Sequence, residues 1–293
     1  MIDFRMETFL AVCREMNFTR AAETLNLTQP AVSQHIKSLE KRYGTPLFLR
    51  DRKRLTLTPA GEILRSALET MRNDETTMRQ RMQQSLQAKQ VLTFGVTMTI
   101  GEYAIVPELA QLIKAHPDTE FHIRYGNTQA LLQELRDGSL DFAIVEGYFE
   151  PGNYETRIYK TEPYIAVAAA DHQFSSPVHS LTDLLSERLL IRESGSGTRE
   201  ILARVLALNN LSLSDFGRMV EVENIHTIVS LLCQDCGISF LYQAAVEQEL
   251  QEGLLQQIPL ADFQVQHNFT FIWNQDSIFS SEYEAVFQEL QAP

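Results

Sequence analysis

The stretch Phe18–Lys37 constrains the fold of this chain more strongly than any other part of the sequence. Its pattern predicts two short helices joined by a tight turn, the first over about residues 19–25 and the second from near Thr28 to about Tyr43. Thr28 suits an N-cap, because its hydroxyl can accept a hydrogen bond from a free backbone N–H one turn further on. Asn26 suits the corner, because asparagine tolerates the left-handed backbone that such reversals often need. The stretch is therefore typical of a helix-turn-helix.

The second predicted helix has one apolar face and one polar face. Val32, Ile36 and Leu39 recur at the spacing of a single helix face, so we expect them to point into the core. The residues left on the outward face or at its N-terminal flank are Gln29, Pro30, Ser33, Gln34 and Lys37. A short polar helix of this kind can enter the major groove of DNA. Taken alone, the motif fits an ordinary helical hairpin packed in a core equally well.

A basic hairpin follows the motif. Gly44 and Pro46 end the second helix, and residues 47–50 and 55–57 are predicted to form two short strands. The turn between these strands carries the basic residues Arg52, Lys53 and Arg54. A basic turn is usually only solvated surface. Directly after a helix-turn-helix, it favours a wing that lies along DNA phosphates.

The charge of the chain is unevenly distributed. The whole sequence carries a net charge of −13, which alone would argue against DNA binding. Residues 1–90 hold 15 Lys and Arg against 10 Asp and Glu, a net charge of +5, whereas residues 91–293 hold 10 against 28, a net charge of −18. This asymmetry predicts that the N-terminal part meets a polyanion and that the rest faces away from it.

The composition, with 44% hydrophobic and 22% charged residues, is that of a soluble globular protein, and the length allows two or three domains. The N-terminus does not resemble a signal peptide, and no apolar run approaches the length of a membrane span. The three cysteines, Cys13, Cys233 and Cys236, are no disulfide framework, which favours a reducing cytoplasm.

A long helix is predicted after the wing, opening at Thr58 and Pro59 and continuing to about residue 88. Its apolar residues approximate a heptad seam that Glu75 interrupts; they are Leu64, Leu68, Met71, Met78 and Met82. At about 1.5 Å per residue, such a helix spans roughly 45 Å. A long helix with one narrow apolar stripe favours pairing with an identical helix, and an unpaired solvated linker is the alternative.

From Val91 onward, predicted strands alternate with predicted helices, which indicates α/β layers with mostly parallel sheets. The strands are predicted over residues 91–96, 120–125, 142–145, 164–169, 189–191, 219–222, 238–241 and 269–273. About two hundred residues is large for one such sheet, so we expect two lobes with a cleft between them.

Three polar loops are predicted at helix N-termini beyond strand ends, which is where open α/β sheets bind ligands. They are Thr97 to Thr99, Asn127 to Gln129, and Ser194 to Arg199. The glycines and free N–H groups of the third loop favour an anion. It lacks the lysine of a P-loop and the spacing of a dinucleotide fingerprint, so a nucleotide is not indicated. Each loop alone could be a simple helix cap, but three together favour a binding cleft.

Enzymatic patterns are weak in this sequence. Cys233 and Cys236 are spaced like a redox or metal pair, but no further ligands stand at a workable spacing, so a buried helix end is favoured. The sequence contains neither an HExxH zinc motif nor a GxSxG nucleophile elbow. We therefore predict no catalytic residues, no metal and no cofactor.

The chain resembles the LysR-type transcriptional regulators over nearly its whole length. Its N-terminal part resembles the DNA-binding module of that family in NFTRAAETLNLTQPAVSQHIKSLEKRYGTPLFLR followed by LTLTPAGE. The later segments GVTMTIGEYAIVPELAQL, GNTQALLQELRDGSLDFAIVEG, IRESGSGTREIL and GISFLYQAAV resemble its effector-binding domain. Within the family, the sequence is most similar to the branch related to regulators of sulfur and nitrogen assimilation.

The resemblance implies a multidomain α/β architecture. A winged helix-turn-helix domain would cover residues 1–58, with the motif at 18–37, a linker and dimerisation helix 59–89, and an effector-binding domain 90–293. That last domain would resemble a periplasmic binding protein, with lobe I at about 90–162 and 266–293 and lobe II at about 163–265. The family implies homodimers or homotetramers on promoter palindromes and a small-molecule effector of unknown identity. RNA polymerase is a further candidate partner.

The resemblance also assigns site residues. The implied DNA-binding residues are Arg20, Gln29, Pro30, Ala31, Ser33, Gln34, Lys37, Arg50, Arg52, Lys53 and Arg54. The implied effector-binding residues are Thr97, Met98, Thr99, Ile100, Asn127, Glu146, Ser194, Gly195, Ser196, Gly197 and Thr198. Many members of the family carry arginine where this chain has Gln34, and glutamine suits adenine rather than guanine. Asp235 and Cys236 differ from the Gly-Leu pair that members of the family usually have before the strand at Gly237.

Two other functions stay open on sequence grounds. One is a solute-binding protein or enzyme on the same two-lobed fold, with residues 1–89 serving only as an oligomerisation arm. The other is a nucleoid-type DNA binder without a ligand. Binding to the upstream DNA of the chain's own gene would separate the first alternative from a regulator, and stabilisation by a metabolite would exclude the second.

Overall fold

The computed structural model describes residues 2–51, 54–85 and 90–292. The N-terminal domain consists of three helices and a two-stranded antiparallel hairpin: α1 Phe4–Glu15, α2 Phe18–Thr24, α3 Gln29–Tyr43, β1 Phe48–Asp51 and β2 Arg54–Leu57. Asn26 adopts a left-handed conformation at the corner (φ +54°), and the Thr28 hydroxyl caps α3 by accepting from the Ala31 N–H, as the sequence predicts.

The core of this domain lies beneath α3. Val32, Ile36 and Leu39 are buried against Phe9 and Val12 of α1, which confirms the predicted inward face of α3. The same packing leaves the polar face of α3 outside.

The linker helix α4 spans Pro59–Ser85 and differs from the predicted heptad seam. Leu68 is buried in the N-terminal core, and Leu64 packs against that core, so neither residue is available to a partner helix. Met71, Met78 and Met82 are exposed. The predicted seam therefore has two parts: Leu64 and Leu68 belong to the core of the N-terminal domain, and the three methionines face outward.

A polar face of α4 packs against the C-terminal domain. Asn73 donates from Nδ2 to the carbonyl oxygens of Leu135 (3.1 Å) and Leu140 (3.0 Å). Asp74 accepts from the Ser277 hydroxyl (2.5 Å) and the Ile278 N–H (3.0 Å). The sequence did not predict this contact, because polar residues on a helix resemble a solvated face.

The C-terminal domain alternates strands and helices. Its strands are β3 Gln90–Thr97, β4 Thr119–Gly126, β5 Phe142–Val145, β6 Tyr154–Ala169, β7 Arg188–Ile191, β8 Arg218–Glu221, β9 Ile238–Tyr242, β10 Leu255–Gln257 and β11 Val265–Asn274. Its helices are α5 Met98–Tyr103, α6 Val106–Ala115, α7 Thr128–Asp137, α8 Gly197–Leu208, α9 Ile225–Cys233, α10 Glu247–Gln251 and α11 Ser280–Leu290.

The strands form one mixed sheet in the order β4-β3-β5-β11-β6-β9-β7-β8, with β10 paired to β6. Strands β3, β4 and β5 are parallel to one another and form lobe I, and strands β7, β8 and β9 are parallel and form lobe II. Between the lobes run the long strands β6 and β11, which pair antiparallel with each other and with their other neighbours. The predicted multidomain α/β fold is confirmed, but the expectation of mostly parallel sheets is wrong.

The predicted boundaries of the domains and lobes stay a prediction. The apolar core is not divided between the two lobes, because one cluster includes Phe94 and Phe142 of lobe I as well as Leu189 and Ile238 of lobe II. Among the described residues, no helix combines the length and the apolar character needed to cross a membrane.

Candidate DNA-binding surface and ligand cleft

The outer face of α3 carries the residues predicted to read DNA. Gln29, Pro30, Gln34 and Lys37 are exposed, and Ala31 and Ser33 are half-buried. Gln29 donates from Nε2 to the Ser33 hydroxyl at 2.8 Å, which orients one amide at the N-terminal end of the helix. Arg20 is exposed on α2.

The hairpin β1–β2 lies beside α3 as a wing. Arg50 and Arg54 are exposed, while the predicted contacts Arg52 and Lys53 lie outside the described residues. A groove with a volume of about 430 Å³ separates the wing from the two helices of the motif. The residues that line it include Asn17, Thr19, Gln29, Ser33, Lys37 and Arg50. Glu40 of α3 accepts from the Leu47 N–H at 2.9 Å, which fastens the wing to that helix.

Helix α1 supports α3 through polar contacts that sequence analysis missed. The Thr8 hydroxyl lies 2.9 Å from His35 Nδ1, and Arg5 donates to the Ser38 hydroxyl at 3.2 Å. No sequence motif marks such pairs, because each joins residues about thirty positions apart.

Two of the three predicted loops meet directly between the lobes. The Gln129 N–H donates to the carbonyl of Gly195 at 3.2 Å, and Asn127 donates from Nδ2 to Glu193 at 3.1 Å. The backbones approach closely, because a Cβ added at Gly147 would lie 2.4 Å from the Gly197 Cα. Lobe I and lobe II therefore touch along residues 127–129, 146–147 and 193–198.

Glu146 stands at the centre of this contact and is only 1% exposed. It accepts a hydrogen bond from the Thr198 hydroxyl at 2.6 Å, and its backbone carbonyl accepts from the Thr128 hydroxyl at 2.7 Å. Burial raises the pKa of Glu146, and the hydroxyls of Thr198 and Thr99 and the nearby Arg192 guanidinium oppose that rise.

Several buried polar atoms around Glu146 have no hydrogen-bond partner within the chain. They are Thr97 Oγ1, Thr99 Oγ1, Glu146 Oε2, Arg192 Nη1 and Ser196 Oγ. Buried polar atoms are rarely left unpaired in folded proteins, so this group is a candidate position for ordered water or a bound molecule. Ser196 stands at the N-cap of α8 but its side chain does not cap that helix.

Arg192 is the residue of this cleft that sequence analysis missed. Its Nε and Nη2 donate to the Glu193 carboxylate at 2.8 and 3.0 Å, and its side chain is almost wholly buried. An arginine directly after strand β7 was a usable signal, because it falls at the carboxyl end of that strand.

The remaining predicted effector residues occupy different surroundings. Ile100 is buried in the main apolar core, and Met98 is half-buried against an apolar cluster of lobe II. Ser194 is exposed; with Gly195 and Thr128 it lines a cavity of about 430 Å³ that reaches Arg65 of α4. Which of these residues contact an effector stays a prediction.

The cysteines form no recognisable centre. Cys233 and Cys236 are free and half-buried. Asp235 between them has a left-handed backbone (φ +53°), and its carboxylate pairs with His172. Within residues 2–51, 54–85 and 90–292, no group of His, Cys, Asp and Glu has an arrangement that could hold a metal ion.

Two family models match the chain over its two parts. The model described as a bacterial regulatory helix-turn-helix protein of the lysR family matches residues 4–62, and the LysR substrate binding domain matches residues 85–292. The second match covers well over half of the chain. The protein belongs to the LysR family of transcriptional regulators.

Individual relatives agree with this assignment. The chain is 30% identical over 269 residues to the HTH-type transcriptional regulator CysL of Bacillus subtilis, covering 91% of this chain and 89% of CysL. The fold is similar to the Synechocystis PCC6803 CcmR regulatory domain in complex with 2-PG (TM-score 0.61, 20% identity, 69% of this chain and 96% of that domain). It is also similar to full-length LysG from Corynebacterium glutamicum with bound effector Arg (TM-score 0.59, 17% identity, 98% of this chain and 97% of LysG).

The family and its relatives are regulators, so the reading as an enzyme or a free solute-binding protein is not favoured. The chain is a transcriptional regulator that joins a DNA-binding domain to an effector-binding domain.

Proposed function

We propose that this regulator binds promoter DNA through α3 and the wing, and that a small metabolite held between lobes I and II controls that binding. The cluster of unpaired buried polar atoms around Glu146 carries the second half of the proposal. The outward polar face of α3 beside a basic wing carries the first half.

The base-reading role falls on Gln29, Ser33 and Gln34. Gln34 is exposed on α3, and a glutamine amide can both donate to and accept from adenine in the major groove. Arg50 and Arg54 would hold phosphates, which fixes the register of the protein on DNA without reading sequence.

The ligand is proposed to combine an anionic group with a hydrogen-bond donor. Arg192 Nη1, the Ser196 hydroxyl and the free N–H groups of α8 can all donate to a carboxylate or phosphate. Glu146 Oε2 can accept from a hydroxyl or an amine of the same molecule. The CcmR domain in complex with 2-PG and LysG with bound Arg are relatives of this fold that hold small polar molecules.

Self-association is proposed to run through α4. Ile63, Met71 and Met78 are 73%, 56% and 43% exposed on this helix, and apolar residues in such numbers favour an unoccupied contact surface. A homodimer would present two copies of α3 to a palindrome, and two dimers would form a homotetramer. RNA polymerase as a partner and the cytoplasm as the location are proposed from the DNA-binding role.

The decisive experiment measures binding to DNA from upstream of the chain's own gene by fluorescence anisotropy, with and without a panel of small metabolites. We expect specific binding, a change in affinity with one class of metabolite, and thermal stabilisation of the protein by the same compounds.

The variants Gln34→Ala and Thr198→Val separate the two halves of the proposal. Gln34→Ala should reduce the preference for the specific site by about tenfold, since a bidentate base contact is worth roughly 1–3 kcal/mol. Thr198→Val should leave DNA binding intact and blunt the metabolite response. A Thr198→Val protein with a normal response would contradict the cleft, and a Gln34→Ala protein with unchanged site preference would contradict the reading helix.

A further inference from the structure

Two adjoining cavities lie where α1, α4 and α7 meet. The larger of them also borders the contact of the lobes, through Thr128 and residues 194–197. The smaller, of about 230 Å³, is bounded by α1, α4 and α7, and the larger, of about 430 Å³, extends from α4 and α7 to the edge of lobe II. Both cavities are lined by Arg65, Arg136 and Asn153. We call the two together the junction site.

The smaller cavity of the junction site is basic within an acidic protein. Four arginines line the smaller cavity, namely Arg14, Arg65, Arg72 and Arg136. Only two carboxylates line it, those of Glu69 and Asp137. Burial raises the pKa of Glu69, and the nearby guanidinium groups of Arg65, Arg136 and Arg72 oppose that rise.

The arginines retain donors that no protein group uses. Arg65 Nε and Arg72 Nε are buried without a hydrogen-bond partner. Arg65 pairs with Glu62 on its own helix at 2.6 Å, and Arg136 donates to Gln133 on its own helix at 3.1 Å. Each guanidinium carries five N–H donors, so both have capacity left for a ligand.

The larger cavity offers space for the rest of a ligand whose charged group lies in the smaller cavity. Asn153, Tyr148 and Tyr154 line it, and the Arg136 guanidinium lies close enough to the Tyr154 phenol to oppose the rise of its pKa on burial. A volume of about 430 Å³ lies in the range of small-molecule pockets. The arrangement thus offers a cationic end and a wider polar end.

We propose that the junction site binds a small phosphate ester. Its phosphate would lie between Arg65 of α4 and Arg136 of α7, and its polar body would extend along Asn153 into the larger cavity. A phosphate suits the site better than a carboxylate, because its three outer oxygens can accept from guanidinium groups that approach from two different helices. Such a ligand would join the linker helix to the effector-binding domain. Its phosphate would lie in the smaller cavity, whose lining includes neither Glu146 nor Ser196, so the proposal does not rest on the ligand proposed for the Glu146 cleft.

Isothermal titration calorimetry of the full chain in phosphate-free buffer tests this site. The probes are glycerol 3-phosphate, inorganic phosphate, and glycerol as the uncharged control. We expect both phosphates to bind, the ester more tightly than the inorganic ion, and glycerol not to bind. Failure of both phosphates to bind the wild-type chain would overturn the proposal.

The variants Arg65→Gln and Arg136→Gln, made separately, should each weaken phosphate binding about tenfold or more, because each removes charged hydrogen bonds. The matched control is Arg79→Gln, which removes an exposed arginine of α4 that pairs only locally with Glu75. It should bind like the wild type. Tyr154→Phe, which removes a single hydroxyl, provides a milder variant if an arginine variant does not fold; we expect it to weaken the ester more than the inorganic ion.

The variants also show where on the protein the phosphate ester binds if it does not bind at the junction site. If Arg136→Gln retains full affinity, the anion binds elsewhere, for example at the DNA-binding face, and the junction site is wrong. If Thr198→Val loses the binding while Arg136→Gln keeps it, the ester occupies the Glu146 cleft, so the junction site is overturned while the proposed function stands.

Discussion

At the scale of single residues, Glu146 makes the stability of the protein depend on pH. This carboxyl is buried, and burial raises its pKa above the usual 4.5. The folded state therefore binds the proton more tightly than the unfolded state, so this group makes stability fall as the pH rises from about 4.5 through its raised pKa. Glutamine at the same position keeps an acceptor for the Thr198 hydroxyl and has no charge to bury.

We predict that Glu146→Gln stabilises the ligand-free protein at neutral pH, on the order of 1 kcal/mol or about 2–4 °C in Tm. The gain should shrink as the pH falls toward 4.5 and disappear below it. Differential scanning calorimetry across pH measures this.

Glu193→Gln is the matched control for this prediction. Burial alone would raise the pKa of Glu193, but the hydrogen bonds from Arg192 hold it below its usual value. Removing that charge should destabilise the protein at neutral pH, which is the opposite sign. A gain for Glu146→Gln that does not vary with pH would contradict the linkage described for this carboxyl.

At the scale of elements, the wing should contribute affinity without sequence preference. Arg50 and Arg54 are exposed on neighbouring strands, where both can meet phosphates. We predict that Arg50→Gln and Arg54→Gln each weaken binding to specific and unrelated DNA by similar factors. Each should also reduce the slope of log affinity against log salt concentration by about 0.9. Anisotropy titrations at several salt concentrations give both quantities.

Arg79→Gln on α4 serves as the charge-matched control, because Arg79 is exposed on the linker helix and pairs with Glu75. It should leave the salt slope of DNA binding unchanged. Equal slopes for Arg50→Gln, Arg54→Gln and Arg79→Gln would exclude the wing as a phosphate contact.

Elements with strong local patterns could be predicted from the sequence, and those without could not. Val32, Ile36 and Leu39 follow one helix face, and the strand Phe142–Val145 is wholly apolar, so both predictions agree with the structure. Strand β6 was predicted only from residue 164, because its first part, Tyr154 to Pro163, is rich in charged residues and lacks the apolar run of the second part.

The candidate sites divide in the same way. The loops at 97–99, 127–129 and 194–198 could be located because they follow strands, and Glu146 came from the family resemblance. Arg192 was missed although its position directly after strand β7 was a usable signal. The arginines of the junction site could not be found, since an arginine whose neighbours are distant in sequence looks the same as a solvated one.

At the scale of the whole molecule, the exposed apolar residues of α4 should determine the oligomeric state. We predict that Met71→Glu combined with Met78→Glu shifts the protein from dimers or higher oligomers toward monomers, raising the dissociation constant at least tenfold. The physical reason is that two charges would be buried in an apolar helix contact. Sedimentation velocity over a range of protein concentrations measures the shift.

Leu208→Glu is the control for that experiment, because Leu208 is even more exposed but lies at the end of α8. It should not dissociate the protein. An unchanged molar mass for the Met71 and Met78 variant would show that subunits associate through another surface.

The docking of α4 has a practical consequence for anyone who recombines this regulator with its relatives. A chimera joined before Pro59 would separate Leu64 and Leu68 from the three-helix core that they seal. A chimera joined after Ser85 would instead place Asn73 and Asp74 against the carbonyl and hydroxyl groups of a different effector-binding domain. A junction at either end of α4 therefore breaks native contacts. An exchange of domains between regulators should transfer α4 together with the end of α7 and the turn after β11 that contact it.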